Sequence, residues 1–279
     1  MENIVIVGLG LIGGSIAKAL KLHVPCHITG IDQDPAVLVA ALAERAIDSI
    51  SSPEDLPDAD LVYLCLYPQA AIDFIQANGH RLRPGCIVTD VCGIKKDICV
   101  HMPALARWFG FSFVGGHPMA GREKSGYAAS DGCLFENASY IFTPCDAPRE
   151  AVDHLKELAL KMGFASTVET TPEHHDQMIA FTSQVPHILA CAYVSSPQCP
   201  QHKGYSAGSY RDVSRVANIN ETLWTELFLD NAGPLTKELD LLIQNLTSLR
   251  DAVAEKDAPR LSALLRHARE TKQSLAEPS

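Results

Sequence analysis

Basic residues, long apolar runs and paired cysteines are what this sequence has least of. Lysine and arginine number 23 against 33 aspartates and glutamates, a formal net charge of −10 over 279 residues. A field of that sign repels nucleic acid and anionic membrane surfaces, and neither is expected as a main partner. It leaves room for a small anionic substrate, because a few cations lining a cleft reverse the sign locally. No apolar run approaches the ~18 residues of a membrane span. The nine cysteines contain no C-x-x-C pair. An odd count without metal-ligand spacing, with several members inside apolar runs, reads as reduced, mostly buried thiols, so neither a disulfide framework nor a metal site is expected. No basic stretch or signal-type apolar segment precedes the first strand-like run, and the expectation is a soluble, cytoplasmic protein. Internal repeats and low-complexity segments are also missing.

What is present begins at residue 4. The apolar run Ile4-Val5-Ile6-Val7 flows into Gly8-Leu9-Gly10-Leu11-Ile12-Gly13, and Asp32 closes the next apolar run, residues 26–32. Strand, glycines, helix and acid in this register form the signature of a dinucleotide-binding βαβ unit. Gly8 permits the tight turn, Gly10 removes the side chain that would block the pyrophosphate, and Gly13 lets helix and strand approach. The pyrophosphate would sit on the N–H groups at the start of the helix, around Leu11 and Ile12, where the dipole favours anions. The Asp32 carboxylate would accept the adenosine ribose hydroxyls and repel a phosphate there, which favours NAD over NADP.

Short apolar runs at residues 61–66, 86–90 and 111–116 alternate with helical stretches, the pattern of an α/β chain with a doubly wound parallel sheet of Rossmann type. A run at 140–143, a helix over 148–162 and a last run at 165–170 extend that sheet. From Pro172 onward the strand pattern stops, so we divide the chain into a nucleotide-binding domain over 1–170 and an all-helical domain over 171–279. Residues 174–194 read as one long helix kinked at Pro186, and 195–209 as a loop. Leu235, Leu239, Leu242, Leu246, Leu249 and Val253 form a heptad seam that needs an apolar partner, either within the chain or in a second subunit. The tail 276–279 has no pattern.

In doubly wound sheets the ligand lies beyond the carboxyl ends of the strands. Two such places carry polar groups: Asp90-Val91-Cys92-Gly93-Ile94-Lys95, whose Asp90 is a further candidate for the cofactor cleft, and Gly115-Gly116-His117-Pro118 with the loop after it. His117 is expected on a rigid turn beside the nicotinamide, where an imidazole of ordinary pKa near ~6.5 takes a hydroxyl proton at neutral pH. The helical half offers His175-Asp176, then Ser183 and His187 on one helix face, with Asp176 broadly on the same side. Arg215 stands between Val213 and Val216, which suggests a half-buried guanidinium that needs an anion, either a ligand carboxylate or a structural partner such as Asp176 or Asp212.

Together these blocks resemble the prephenate and arogenate dehydrogenases of tyrosine biosynthesis, over almost the whole chain. The most specific stretch is Gly-Gly-His-Pro-Met-Ala-Gly at 115–121, with Glu123-Lys124-Ser125-Gly126 behind it. The resemblance implies a Rossmann domain and a helical domain that forms a homodimer. It also implies NAD-dependent oxidative decarboxylation of prephenate to 4-hydroxyphenylpyruvate, with arogenate, which would give tyrosine directly, as the near alternative. By the same resemblance His117 is the catalytic histidine, Arg215 meets a substrate carboxylate, Ser183 and His187 belong to a substrate-contacting block, and Glu123 and Lys124 border the entrance. Two departures stand out: Gly93 replaces a serine common in the family, so that its contact is either absent or supplied by water, Cys92 or Ser125, and Gln184 replaces a histidine. More distant alternatives are a β-hydroxyacid dehydrogenase, disfavoured because no lysine lies between His174 and Ser196, and an NAD-binding sensor without turnover. No amino-acid-binding regulatory segment is expected after the helices, and tyrosine inhibition would then act at the active site.

Overall fold

The computed structural model describes residues 1–56, 58–122 and 124–275. Its first part alternates strands and helices. In order come β1 (Glu2–Val7), α1 (Leu11–His23), β2 (Cys26–Ile31), α2 (Pro35–Ala43), β3 (Ser49–Ile50), β4 (Leu61–Leu64), α3 (Pro68–Asn78) and β5 (Ile87–Asp90). They are followed by α4 (Lys96–Phe109), β6 (Ser112–Pro118), β7 (Ser139–Thr143), α5 (Arg149–Lys161) and β8 (Ser166–Glu169). The strands form one sheet in the order β3-β2-β1-β4-β5-β6-β7-β8. Every pairing is parallel except β6 with β7.

The near-continuous apolar runs of β1 and β4 follow from this burial on both faces. On one face Ile4, Ile6 and Tyr63 pack with Ile16 and Leu20 of α1 and Leu155 of α5. On the other, Val5, Val7, Val62 and Leu64 pack with Ile72 and Ile75 of α3 and Ile98 and Met102 of α4. In α5 the buried residues Ala151, Val152, Leu155, Leu158 and Ala159 recur at helical spacing, one stripe facing the sheet.

The strand order reverses direction between β1 and β4, and the crevice outside their carboxyl ends is where such sheets take ligands. β6 runs past its neighbour: its pairing with β5 ends at Val114, while Gly115 to Pro118 continue antiparallel to β7. His117 therefore lies inside a strand, opposite Ile141, and not on the turn that its flanking glycines and proline led us to expect. Ladder pairing holds it.

After β8 the chain is helical: α6 (Pro172–Ile179), α7 (Val185–Val194), α8 (Gly208–Ser214), α9 (Glu221–Asp230), α10 (Ala232–Ala254) and α11 (Ala258–Ser274). The expected single helix over 174–194 runs without a gap, but its irregularity lies one turn before Pro186, not at it. Residues Ala180–Gln184 form a π turn, with the Val185 N–H donating to the Ala180 carbonyl. Pro186 thus follows closely on the π turn, where the helical register is already shifted. The heptad seam lies on α10, and α11 packs back against that helix. Leu235 is buried, yet Leu246 and Val253 remain 48% and 60% exposed in the single chain. The tail 276–279 lies outside the described residues.

Candidate functional site

The glycine loop separates three spatial demands. Gly8 has φ +90° and donates its N–H to the Ile31 carbonyl at 2.8 Å, closing β1 onto β2. A Cβ on Gly13 would stand 1.9 Å from the Gly8 carbonyl oxygen, whereas a Cβ on Gly10 would meet nothing within 4 Å. The loop is therefore tight beneath and open above. No side chain caps α1 at Gly10, and the first N–H groups of a helix have no intrahelical acceptor. Leu11 and Ile12 are half-buried beside that opening. Asp32 accepts the Leu9 N–H on Oδ2 at 2.7 Å and the Asp34 N–H on Oδ1 at 2.9 Å. These two bonds aim the carboxylate and leave each oxygen with capacity for another donor.

Asp90 behaves differently from the expected cofactor ligand. It is fully buried at the end of β5. Its Oδ1 accepts the Gly116 N–H at 3.1 Å, and its Oδ2 accepts the Cys92 N–H at 2.8 Å and pairs with the Lys95 ammonium. Without accessible surface it cannot touch a dinucleotide, so it acts by tying β6 and the loop after β5 into one floor. Burial pushes the Lys95 ammonium down, but the Asp90 carboxylate beside it, together with Cys92 and Cys99, holds it above its ordinary value. The Cys92 thiol lies against the Leu66 carbonyl, 3.5 Å away, and burial followed by the Asp90 charge keeps it protonated. It is chemically quiet, and it does not supply the contact that Gly93 lacks.

His117 is half-buried above that floor. Its Nδ1 lies 2.8 Å from Nε2 of His175, whose Nδ1 lies 2.7 Å from Oδ1 of Asp176. Asp176 accepts the N–H groups of Lys95 and Lys96 at 2.8 and 2.9 Å, capping the start of α4. The imidazole does not keep an ordinary pKa: burial first, then His175 and the Lys95 ammonium, push it well below the usual histidine range. Burial also lowers His175, against the opposing pull of Asp176. Both rings are thus neutral at neutral pH. A Cβ built on Gly93 would stand 3.9 Å from Nε2 of His117 and 3.5 Å from Leu227, so the absent serine leaves room next to that nitrogen.

In the helical half, Nδ1 of His187 lies 2.7 Å from the Ser183 carbonyl, and its ring stacks on Trp224 of α9 with centroids 3.8 Å apart. Ser183 and His187 are thus joined through backbone and ring. Asp176 does not share their surroundings, being turned onto α4. Gln184 is buried; its Nε2 donates to the Leu227 carbonyl at 2.8 Å and its Oε1 accepts from Asn231 at 2.7 Å. Asn231 also donates to the Asp176 carbonyl at 2.9 Å. The residue at 184 therefore fastens α9 and α10 to α6. Arg215, expected half-buried, is exposed in the short turn Arg215–Ala217, which packs against α7. Lys124 is exposed on the loop after β6, and Glu123 lies outside the described residues.

Three residues at the centre of this site, Lys95, His175 and Asp176, received no role from sequence reasoning. The available signal was the five-residue spacing of Asp90 and Lys95 after a strand, together with a His-Asp pair opening a helix.

Comparison with known proteins agrees along the chain. Residues 16–168 match the family described as "Prephenate dehydrogenase, nucleotide-binding domain", and residues 171–267 match "Prephenate dehydrogenase, dimerization domain". A prephenate dehydrogenase of Bacillus subtilis is 34% identical over 284 residues, covering 98% of this chain and 76% of that protein. The crystal structure of A. aeolicus prephenate dehydrogenase in complex with hydroxyphenyl propionate and NAD+ superposes with a TM-score of 0.88 at 27% identity, over 99% of each chain. Synechocystis arogenate dehydrogenase gives 0.83 at 26% identity, over 98% of this chain and 100% of that one.

Proposed function

The chain belongs to the prephenate dehydrogenase family, and from that premise we propose that it oxidises and decarboxylates prephenate to 4-hydroxyphenylpyruvate with NAD. The observation that carries the reading is His117: a neutral imidazole held on an overrunning strand at the carboxyl end of the same sheet whose first strand opens into the dinucleotide loop. The loop fits the cofactor, since position 10 is open where position 13 is packed solid. Gly8, Gly10, Gly13 and the N–H groups of Leu11 and Ile12 would hold the pyrophosphate, and Asp32 the ribose. When bound, NAD supplies the acceptor for the hydride of the carbinol carbon.

The protein's own part is to orient substrate and to handle one proton. His117 takes the ring hydroxyl proton as the carbinol carbon is oxidised to a ketone. The bond to the ring carboxylate then breaks, its electron pair aromatises the ring, and carbon dioxide leaves. His117 returns the proton to the phenolic oxygen, so none is gained or lost overall. His187 with Ser183, Arg215 and Lys124 would bind the anionic side of the substrate, and Glu123 is assigned to the entrance by the family resemblance alone. Arg215 is assigned to a carboxylate because a guanidinium makes two parallel bonds to one.

The reading extends to a cytoplasmic homodimer closed through α10 and α11. No helix among the described residues is long and apolar enough to cross a membrane. The test is the rise of reduced-nicotinamide absorbance when purified protein receives NAD with prephenate, and with arogenate in parallel. A faster rise with prephenate supports the proposal, one confined to arogenate transfers it to the amino substrate, and no rise with either rejects it.

A further inference from the structure

Resting on that reading, we propose that His175 and Asp176 are positioning residues: they fix the tautomer of His117, with its proton on Nδ1 and a bare Nε2 facing the substrate hydroxyl. The argument starts at the far end of the chain of contacts. Both oxygens of Asp176 already accept backbone N–H donors, from Lys95 and from Lys96. The oxygen 2.7 Å from Nδ1 of His175 is therefore an acceptor, and Nδ1 is the donor. A neutral imidazole that donates through one nitrogen accepts through the other. Nε2 of His175 then accepts from the nitrogen 2.8 Å away, so Nδ1 of His117 carries the proton. What remains on His117 is the lone pair of Nε2, beside the space that Gly93 leaves open.

The alternative is a doubly protonated His175. It would reverse the middle bond, place the His117 proton on Nε2 and leave no base. Burial of the ring opposes that second proton, as does the Lys95 ammonium nearby. The arrangement also joins the two halves of the chain. His117 comes from β6, while His175 and Asp176 come from α6, locked by the cap on α4 and by Asn231. The base is thus correctly prepared only when the helical half is docked on the sheet.

The first test reads the wild-type enzyme. With 15N-labelled histidine, the ring nitrogens of His117, assigned by their loss in His117→Asn, should show a protonated Nδ1 and an unprotonated Nε2 at pH 7.5. A proton on Nε2 overturns the proposal without reference to any substrate, so its failure is distinct from failure of the proposed reaction. The second test compares His175→Phe, which keeps bulk but offers no acceptor, with His175→Gln, whose side-chain carbonyl reaches the place of Nε2. We expect His175→Phe to lower kcat roughly 10–100-fold, the scale for lost outer-shell support, with the KM for prephenate and the Kd for NAD unmoved. His175→Gln should recover most of that loss. A folded His175→Phe enzyme with wild-type kcat, or a His175→Gln enzyme no better than His175→Phe, would refute the assignment.

Discussion

Gly10 and Gly13 stand one helical turn apart and have opposite surroundings: a Cβ at 10 meets nothing within 4 Å, whereas a Cβ at 13 would sit 1.9 Å from the Gly8 carbonyl oxygen. The same substitution should therefore fail for different reasons. Gly13→Ala must displace backbone, a strain of about 1–3 kcal/mol, visible as a lower melting temperature without ligand. Gly10→Ala should melt like wild type and lose affinity for NAD, because its methyl group occupies the space assigned to the pyrophosphate. Titration of both variants with NAD beside thermal melts checks the contrast. A stable Gly10→Ala protein with unchanged NAD affinity would remove the phosphate from that space.

His117→Asn should keep NAD binding and lower turnover by roughly 10²–10⁴-fold, the scale of a lost general base. Near-normal turnover would end its assignment as the base.

The same histidine has a pH consequence. Burial, His175 and the Lys95 ammonium push its pKa well below the ordinary value in the folded state. Above about pH 6.5 the ring is neutral in both folded and unfolded chains, and the stabilisation is fully present. As pH falls below that value, the unfolded chain takes a proton that the native ring refuses, and stability is lost until the pH passes the folded pKa. His175 contributes with the same sign. The melting temperature of His117→Asn should consequently fall less steeply than that of wild type between pH 6.5 and 5. Parallel slopes would mean that His117 charges in the native protein.

Arg215→Ala should raise the KM for prephenate about 10–100-fold with a smaller change in kcat, as expected for one lost charge-assisted contact of about 1.5–3 kcal/mol. Steady-state kinetics and a melt distinguish this from a structural role, in which KM would stay put and the melting temperature would fall.

The nucleotide-binding half was legible because its instructions are local. The glycine turn and the short all-apolar strands each sit within a few residues of the structure they specify, and β1, β4, β5 and α5 lie where the patterning puts them. The chemistry was legible only in part. His117 carried its own signal, but its partner His175 is 58 positions away and its floor is an Asp90–Lys95 pair whose burial is a tertiary outcome. No periodicity encodes such contacts. Asp90 was misread for that reason, since an acid at a strand end looks the same in sequence whether it faces a ligand or is sealed beneath one. Gln184 was unreadable likewise: its amide serves Leu227 and Asn231, both more than forty positions away.

The seam on α10 supplies the remaining prediction. Leu235 is buried against the rest of the chain, but Ile243, Leu246 and Val253 are 59%, 48% and 60% exposed, and Leu265 of α11 is 56% exposed. Apolar side chains recurring along two packed helices form a continuous surface that water covers at a cost of about 25 cal/mol per Å². The matching family segment is named for dimerization, and a symmetric pairing would bring Leu246 against the same stripe of a second copy. Leu246→Glu places a charge where the dimer must be dry and leaves the monomer's own core untouched. Sedimentation should find the wild type dimeric and the variant shifted to monomer at micromolar concentration, with its circular dichroism spectrum unchanged. A variant that remains a dimer would place the interface on another face of the helical half.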